Sequence, residues 1–134
     1  IIPFYNNSEF FDELIQRLET VLSSISEAYQ IICVDDCGSE PIWSMITKAA
    51  KRNPRIVGLR LSRNFGQHPA ITAGLDMADA DWVVVMDGDL QDRPEDIELL
   101  YREATKNDHD VVIAKRQSFG ASTWRRIGSR GFNY

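Results

Sequence analysis

The chain has 134 residues, 43% hydrophobic and 26% charged, which suits one domain with a buried core and excludes a disordered or fibrous protein. A net charge of −5 argues against general nucleic-acid binding, and no apolar run approaches the roughly 20 residues that span a bilayer. The charge is uneven: residues 1–114 hold all 20 acidic residues against 10 Lys or Arg, whereas residues 115–134 carry Lys115, Arg116, Arg125, Arg126 and Arg130 and no acid. Such a basic segment seeks phosphate, an anionic membrane surface or the acidic body of its own protein. The chain opens without Met on a strand-like run and closes on Tyr134 without a stop signal. We therefore expect a single domain over residues 1–134, truncated at both ends, with 115–134 as a basic segment. Cys33 reads as strand core and Cys37 as loop in a reducing compartment, since two cysteines at this spacing make neither a disulfide scaffold nor a zinc site.

Apolar runs alternate with helical patterns along the chain. Residues 1–5 read as a strand, and Phe11, Leu14, Ile15, Leu18, Val21, Leu22 and Ile25 then recur at helical spacing. Residues 30–34 form a second expected strand, followed by a helix marked by Ile42, Ile46 and Ala49. Residues 55–61 form a third strand. After a turn at Gly66, Pro69 can open a helix at its first position, with Ile71, Ala73 and Leu75 following. Residues 82–86 are continuously apolar, as expected of a strand covered on both faces. Asp92 is placed to cap the next helix, with Pro94 early and Glu95 completing a capping box. Residues 110–114 make a fifth strand. The alternation predicts an α/β fold, a Rossmann-type, mostly parallel sheet flanked by helices.

In open parallel sheets, ligands bind beyond the carboxyl ends of the strands. Polar groups follow three of the expected strands there: Tyr5-Asn6-Asn7, Asp35-Asp36 and Asp87-Gly88-Asp89. Two carboxylates at about 4 Å repel by roughly 1 kcal/mol in water and about 4 kcal/mol at an effective dielectric of about 20, so a cation is expected between acids placed so close. Neither G-x-G-x-x-G nor a P-loop occurs, and a calcium loop over Asp87, Asp89, Gln91 and Glu98 fails because Asp92 stands where Gly is needed. Asp87 and Asp89 instead suit Mg²⁺ or Mn²⁺ shared with substrate phosphates, and Gly88 lets a ligand approach the backbone.

Four blocks occur in order: Pro3-Phe4-Tyr5-Asn6, Val34-Asp35-Asp36-Cys37, Leu61-Ser62-Arg63-Asn64-Phe65-Gly66 and Asp87-Gly88-Asp89-Leu90-Gln91-Asp92. Together they resemble the inverting family 2 glycosyltransferases of the GT-A type, most closely the polyprenyl-phosphate branch typified by dolichol-phosphate mannose synthase. The resemblance implies that Pro3, Tyr5 and Asn7 line the nucleotide, Asp36 reads the base, and Asp87 and Gly88 face the ribose or the metal. It further implies Asp87, Asp89 and Gln91 as metal ligands, and Asp89, Arg116 and Arg130 as the groups that stabilise or bind phosphate during transfer. Asn7 stands where the family often has Glu, and Cys37-Gly38-Ser39-Glu40 departs from the Ser and further Asp of relatives; Glu40 is a candidate substitute or a solvent-facing acid.

The resemblance implies transfer of a sugar from a UDP- or GDP-sugar to polyprenyl phosphate, with inversion and with Mg²⁺ or Mn²⁺. A second reading is transfer to a saccharide hydroxyl in cell-surface polysaccharide synthesis, and a third is a nucleotide-binding module without catalysis. The expected location is the cytoplasmic face of a membrane in the full-length protein, with room for a homo-oligomer and no nucleic-acid partner. Residues 1–134 alone are expected to turn over little. Other residues take plainer roles: Asp35 caps a turn or touches ligand, Asp92 caps a helix, and Arg63 and Asn64 hold a loop. Trp43 and Trp82 are expected in the core, His68 is structural, His109 caps or faces water, and Arg125 and Arg126 form a solvated or membrane-facing basic surface.

Overall fold

The computed structural model describes residues 1–38, 40–106 and 109–115. Three parallel strands, β1 (Ile2–Phe4), β2 (Ile31–Asp35) and β3 (Ile56–Arg60), lie side by side in chain order. Among the described residues, four helices accompany them: α1 (Phe11–Ile25), α2 (Glu40–Arg52), α3 (Gln67–Met77) and α4 (Asp96–Lys106). The register sets Phe4 beside Asp35 and Asp35 beside Arg60, so the three strands end abreast.

The central strand explains the layering. All five residues of β2 are buried, because successive side chains enter cores on opposite faces of the sheet. Ile31 and Cys33 pack with Phe11, Leu14, Ile42, Ile46 and Ile97, which places α1, α2 and α4 on one face. Ile32 and Val34 pack with Ala70 of α3 on the other. Full burial of a side chain such as Leu14 or Ile46 contributes about 1.5–3 kcal/mol. Burial also pushes the Cys33 thiol up to about 12, so it stays neutral and behaves as core, as its place in the sequence implies.

Beyond α3 the chain returns to the outer edge of β1. The nitrogen of Ile1 donates to Val84 O at 2.7 Å, and Met86 N–H donates to Ile1 O at 3.2 Å. That offset is one rung of a parallel ladder centred on Ile1 and Val85. The helix on the opposite face and the reversal of strand order place a topological switch point between β1 and residues 82–86.

The expected fourth and fifth strands need correction. Residues 82–86 are extended but gain a single rung, and Trp82, Val83 and Val85 are 39, 39 and 44% exposed rather than covered. Trp82 is therefore not core, unlike Trp43, which lies partly buried against Gly58 and the Arg60 guanidinium. Residues 110–114 form no strand, and Val111 and Ile113 are 74 and 85% exposed. An extended segment becomes a strand only where a neighbour accepts its backbone bonds, and among the described residues none does so for 110–114.

The capping box is also corrected. Helix α4 starts at Asp96, not after Asp92, through a tight turn in which Asp96 and Ile97 N–H donate to Arg93 O and Pro94 O. The Glu95 carboxylate goes instead to Arg17 of α1, accepting from Nε at 2.9 Å and Nη2 at 2.6 Å. A bidentate, charge-assisted pair outcompetes a single capping bond to backbone. Helix α3 starts two residues before Pro69, which occupies its third position, where a missing N–H still costs nothing.

The guanidinium of Arg17 pulls the Glu95 carboxyl down to about 2 from an ordinary 4.5. Because the folded value is depressed, the pair's stabilisation is present above pH 4.5 and lost as pH falls towards 2. Glu95→Gln should therefore unfold at lower denaturant than wild type at pH 7, with the two midpoints converging by about pH 2 in a titration of urea unfolding.

Candidate functional site

With Phe4, Asp35 and Arg60 in line, four loops leave the sheet from one edge. Asp36 N–H donates to Phe4 O and Leu61 N–H to Asp35 O, both at 2.9 Å, so the ladder continues one step into the loops. The structure brings the expected acidic turn against the first loop. A Cβ added at Gly88 would lie 2.5 Å from Phe4 Cε1, 2.9 Å from Phe4 Cδ1 and 3.2 Å from Asn7 Nδ2. Only a residue without a side chain lets the Asp87-Gly88-Asp89 turn rest on the Phe4 ring. The second loop closes in the same way, since a Cβ at Gly38 would meet Asn6 N at 2.9 Å.

Asn6, Cys37 and Leu90 all adopt positive φ, near 59, 57 and 58°. Such backbone is uncommon outside Gly and gathers in functional loops; here one instance lies in each of the three loops expected from sequence. Asn7 Oδ1 accepts from Tyr5 N–H at 2.9 Å, folding the first loop on itself and leaving the Tyr5 ring half exposed.

The acids have distinct surroundings. Asp35 is fully buried and accepts from Gly38 N–H at 2.7 Å. Its second oxygen lies 3.2 Å from Arg60 Nε, close in distance but poorly aligned for a hydrogen bond. Asp35 thus ties the second loop to the end of β3. Asp36, 3% exposed, accepts from Phe65 N–H through one oxygen and from Gly66 N–H through the other, both at 2.8 Å. Asp87 Oδ1 accepts from the side-chain amide of Gln67 at 2.8 Å. Asp89 Oδ1 accepts from Gln91 N–H at 3.0 Å and turns the chain at Leu90.

The loop after β3 is the part that sequence reasoning under-read. Gly66, at φ 94°, donates to Asp36 and also to Asn64 Oδ1 at 3.0 Å, and the Arg63 guanidinium lies 4.7 Å over the exposed Phe65 ring. Arg63 and Asn64 do shape a loop, as expected, but the carboxylate that fastens it comes from Asp36. Gln67 was missed altogether; its only signal was its place directly after the Ser62–Gly66 block. His68 stands exposed beside it on the first turn of α3. Arg116, Arg125, Arg126 and Arg130 lie outside the described residues.

Among the described residues, no three His, Cys, Asp or Glu side chains cluster closely enough to hold a metal by themselves. The acidic turn carries two carboxylates, Asp87 and Asp89, and the Gln91 amide, side chains whose oxygens are of the hard type that Mg²⁺ and Mn²⁺ take as ligands. An apolar cavity of about 250 Å³ opens at the opposite, amino-terminal edge of the sheet, lined by Leu22, Tyr29, Ile31, Trp82 and Tyr101 among others. Its lining is mainly apolar, with Ser26, Gln30 and Asp81 among the polar members, and the candidate site is the cluster of polar loops at the switch point, where ligands of open parallel sheets bind.

An open parallel α/β sheet with helices on both faces, and with acidic loops gathered at its switch point, defines the class of domain. The model of glycosyl transferase family 2 matches residues 1–133, and the chain belongs to that family. Membership makes it a glycosyltransferase domain of the kind that uses nucleotide-sugar donors.

Two variants test the geometry. Gly88→Ala should cost about 1–3 kcal/mol in urea unfolding, because the buried Phe4 ring cannot retreat without disturbing the core. Asp36→Asn keeps the shape but turns an N–H₂ towards the Phe65 or Gly66 N–H. It should cost about 1–3 kcal/mol and raise hydrogen exchange at both amides.

Proposed function

We propose that the crevice between the first loop and the Asp87-Gly88-Asp89 turn binds a nucleotide-diphosphate sugar, and that the parent protein transfers the sugar with inversion to a polyprenyl phosphate. The observation that carries this reading is the packing of Gly88 on Phe4 and Asn7, which sets an acidic turn beside the Tyr5 loop at the switch point of a family 2 domain. Support for the lipid acceptor comes from the Ser62-Arg63-Asn64-Phe65-Gly66 block and the Leu90-Gln91-Asp92 extension, which resemble that branch of the family.

In this proposal Tyr5 flanks the base and Asn7 and Asp36 lie against the nucleoside. Asp36 keeps acceptor capacity while holding two backbone N–H groups, since each carboxylate oxygen carries two lone pairs. Asp87, Asp89 and Gln91 would hold Mg²⁺ or Mn²⁺, which when bound supplies Lewis-acid stabilisation of the departing diphosphate. Arg116 and Arg130 would bind donor or acceptor phosphate through their planar guanidinium groups. A phosphate monoester, with its second pKa near about 6, is already ionised at neutral pH and needs little proton removal, whereas a hydroxyl acceptor would need a general base.

The full-length parent should transfer label from a UDP- or GDP-sugar to polyprenyl phosphate only with Mn²⁺ or Mg²⁺. Asp89→Ala should lower the rate by roughly 100-fold or more, the scale of losing one preorganised stabiliser of developing charge. A nucleotide at about 100 times its Kd should stabilise the protein by about 2.7 kcal/mol in a thermal-shift assay. Undiminished transfer by Asp89→Ala, or transfer to saccharide hydroxyls alone, would overturn the proposal.

A further inference from the structure

We propose that Gln67 is a positioning residue that orients the Asp87 carboxylate in the donor site; the inference rests on the donor-site reading above. Gln67 is the first residue of α3, exposed to solvent, yet its Nε2 donates to Asp87 Oδ1 at 2.8 Å across 20 residues of sequence. Fixing a long, exposed side chain costs up to about 2 kcal/mol of rotamer freedom, so the bond persists only if its backbone is already in place.

That condition is met one residue earlier. The Asp36 carboxylate holds Phe65 and Gly66 N–H at 2.8 Å each, and Ala70 N–H donates to Gly66 O to start the helix. A connected line therefore runs from the end of β2, through the Phe65-Gly66 turn, to Gln67 and the acidic turn after residue 86. Gly88 fixes the backbone of that turn by contact with Phe4, and the Gln67 amide adds a directional bond to the Asp87 carboxylate itself. A neutral amide selects one orientation without cancelling the negative charge, which an ammonium or guanidinium would do. Charge retention is what a carboxylate beside a cation or a ribose hydroxyl requires.

The test uses the full-length parent and titration calorimetry with UDP and with GDP, each with Mn²⁺. Gln67→Ala should weaken the nucleotide that binds by about fivefold to tenfold, the equivalent of about one hydrogen bond. Gln67→Glu, the same size but without the donor, should weaken it further, while Gln67→His, which keeps a neutral N–H donor, should stay within about twofold of wild type. Melting temperatures of all three should match wild type, which separates positioning from a structural role. In an Asp87→Ala background the effect of Gln67→Ala should vanish. Unchanged affinity in Gln67→Ala and Gln67→Glu, or an undiminished effect without Asp87, would overturn the inference.

The Gly88 and Asp89 amide resonances provide a readout independent of any nucleotide. If neither nucleotide binds wild type but these resonances shift in Gln67→Ala and Gln67→Glu and not in Gln67→His, the donor reading falls and the positioning of Asp87 stands. Resonances unmoved in all three variants would overturn the positioning itself.

Discussion

Four carboxylates, those of Asp35, Asp36, Asp87 and Asp89, stand in the segments that leave the sheet at the edge where the strands end, and N–H groups are aimed at each of them. Asp35 has the guanidinium of Arg60 and the Gly38 amide. Asp36 has two backbone amides, Asp87 has a side-chain amide, and Asp89 has the Gln91 amide. Neutral donors hold an ionised acid in place while leaving its charge intact. Like charges are thereby held at one edge of the sheet, with the Arg60 guanidinium beside Asp35.

The acids also differ in what they are for. Asp35 is sealed from water and joins β2 to β3, a role in folding. Asp36 is nearly as buried and ties the end of β2 to the Phe65-Gly66 turn through both of its oxygens. Asp87 and Asp89 lie on the turn that rests on Phe4 through Gly88, and both are partly exposed where Asp35 and Asp36 are buried. Exposure thus rises from the end of the central strand to the turn after residue 86.

Much of this was legible in the sequence, and the exceptions have physical reasons. The bounds of α1 follow from Phe11, Leu14, Ile15 and Leu18, whose spacing admits a single buried face. The three paired strands follow from short apolar runs, and the loops at their carboxyl ends from polar residues directly after such runs. Residues 82–86 and 110–114 were misjudged because an apolar run records what a segment prefers to be covered by, not whether a neighbour is there to cover it. The start of α4 was misjudged because Glu95 has a better partner 78 residues away than the backbone three residues back. Gln67 left no trace in spacing, since its importance lies in a contact with Asp87 that only the folded loops create.

The ring of Phe4 has two neighbours of opposite kind. One edge meets the Phe11 ring, with centroids 5.4 Å apart, inside the hydrophobic interior, and the other meets Gly88. A single aromatic residue is thus both interior packing and the floor beneath the acidic turn. Damage to the interior at this point would travel one residue to the surface, so a variant could keep its fold and still displace the acidic turn. Drift in α1 at Phe11 is constrained for the same reason.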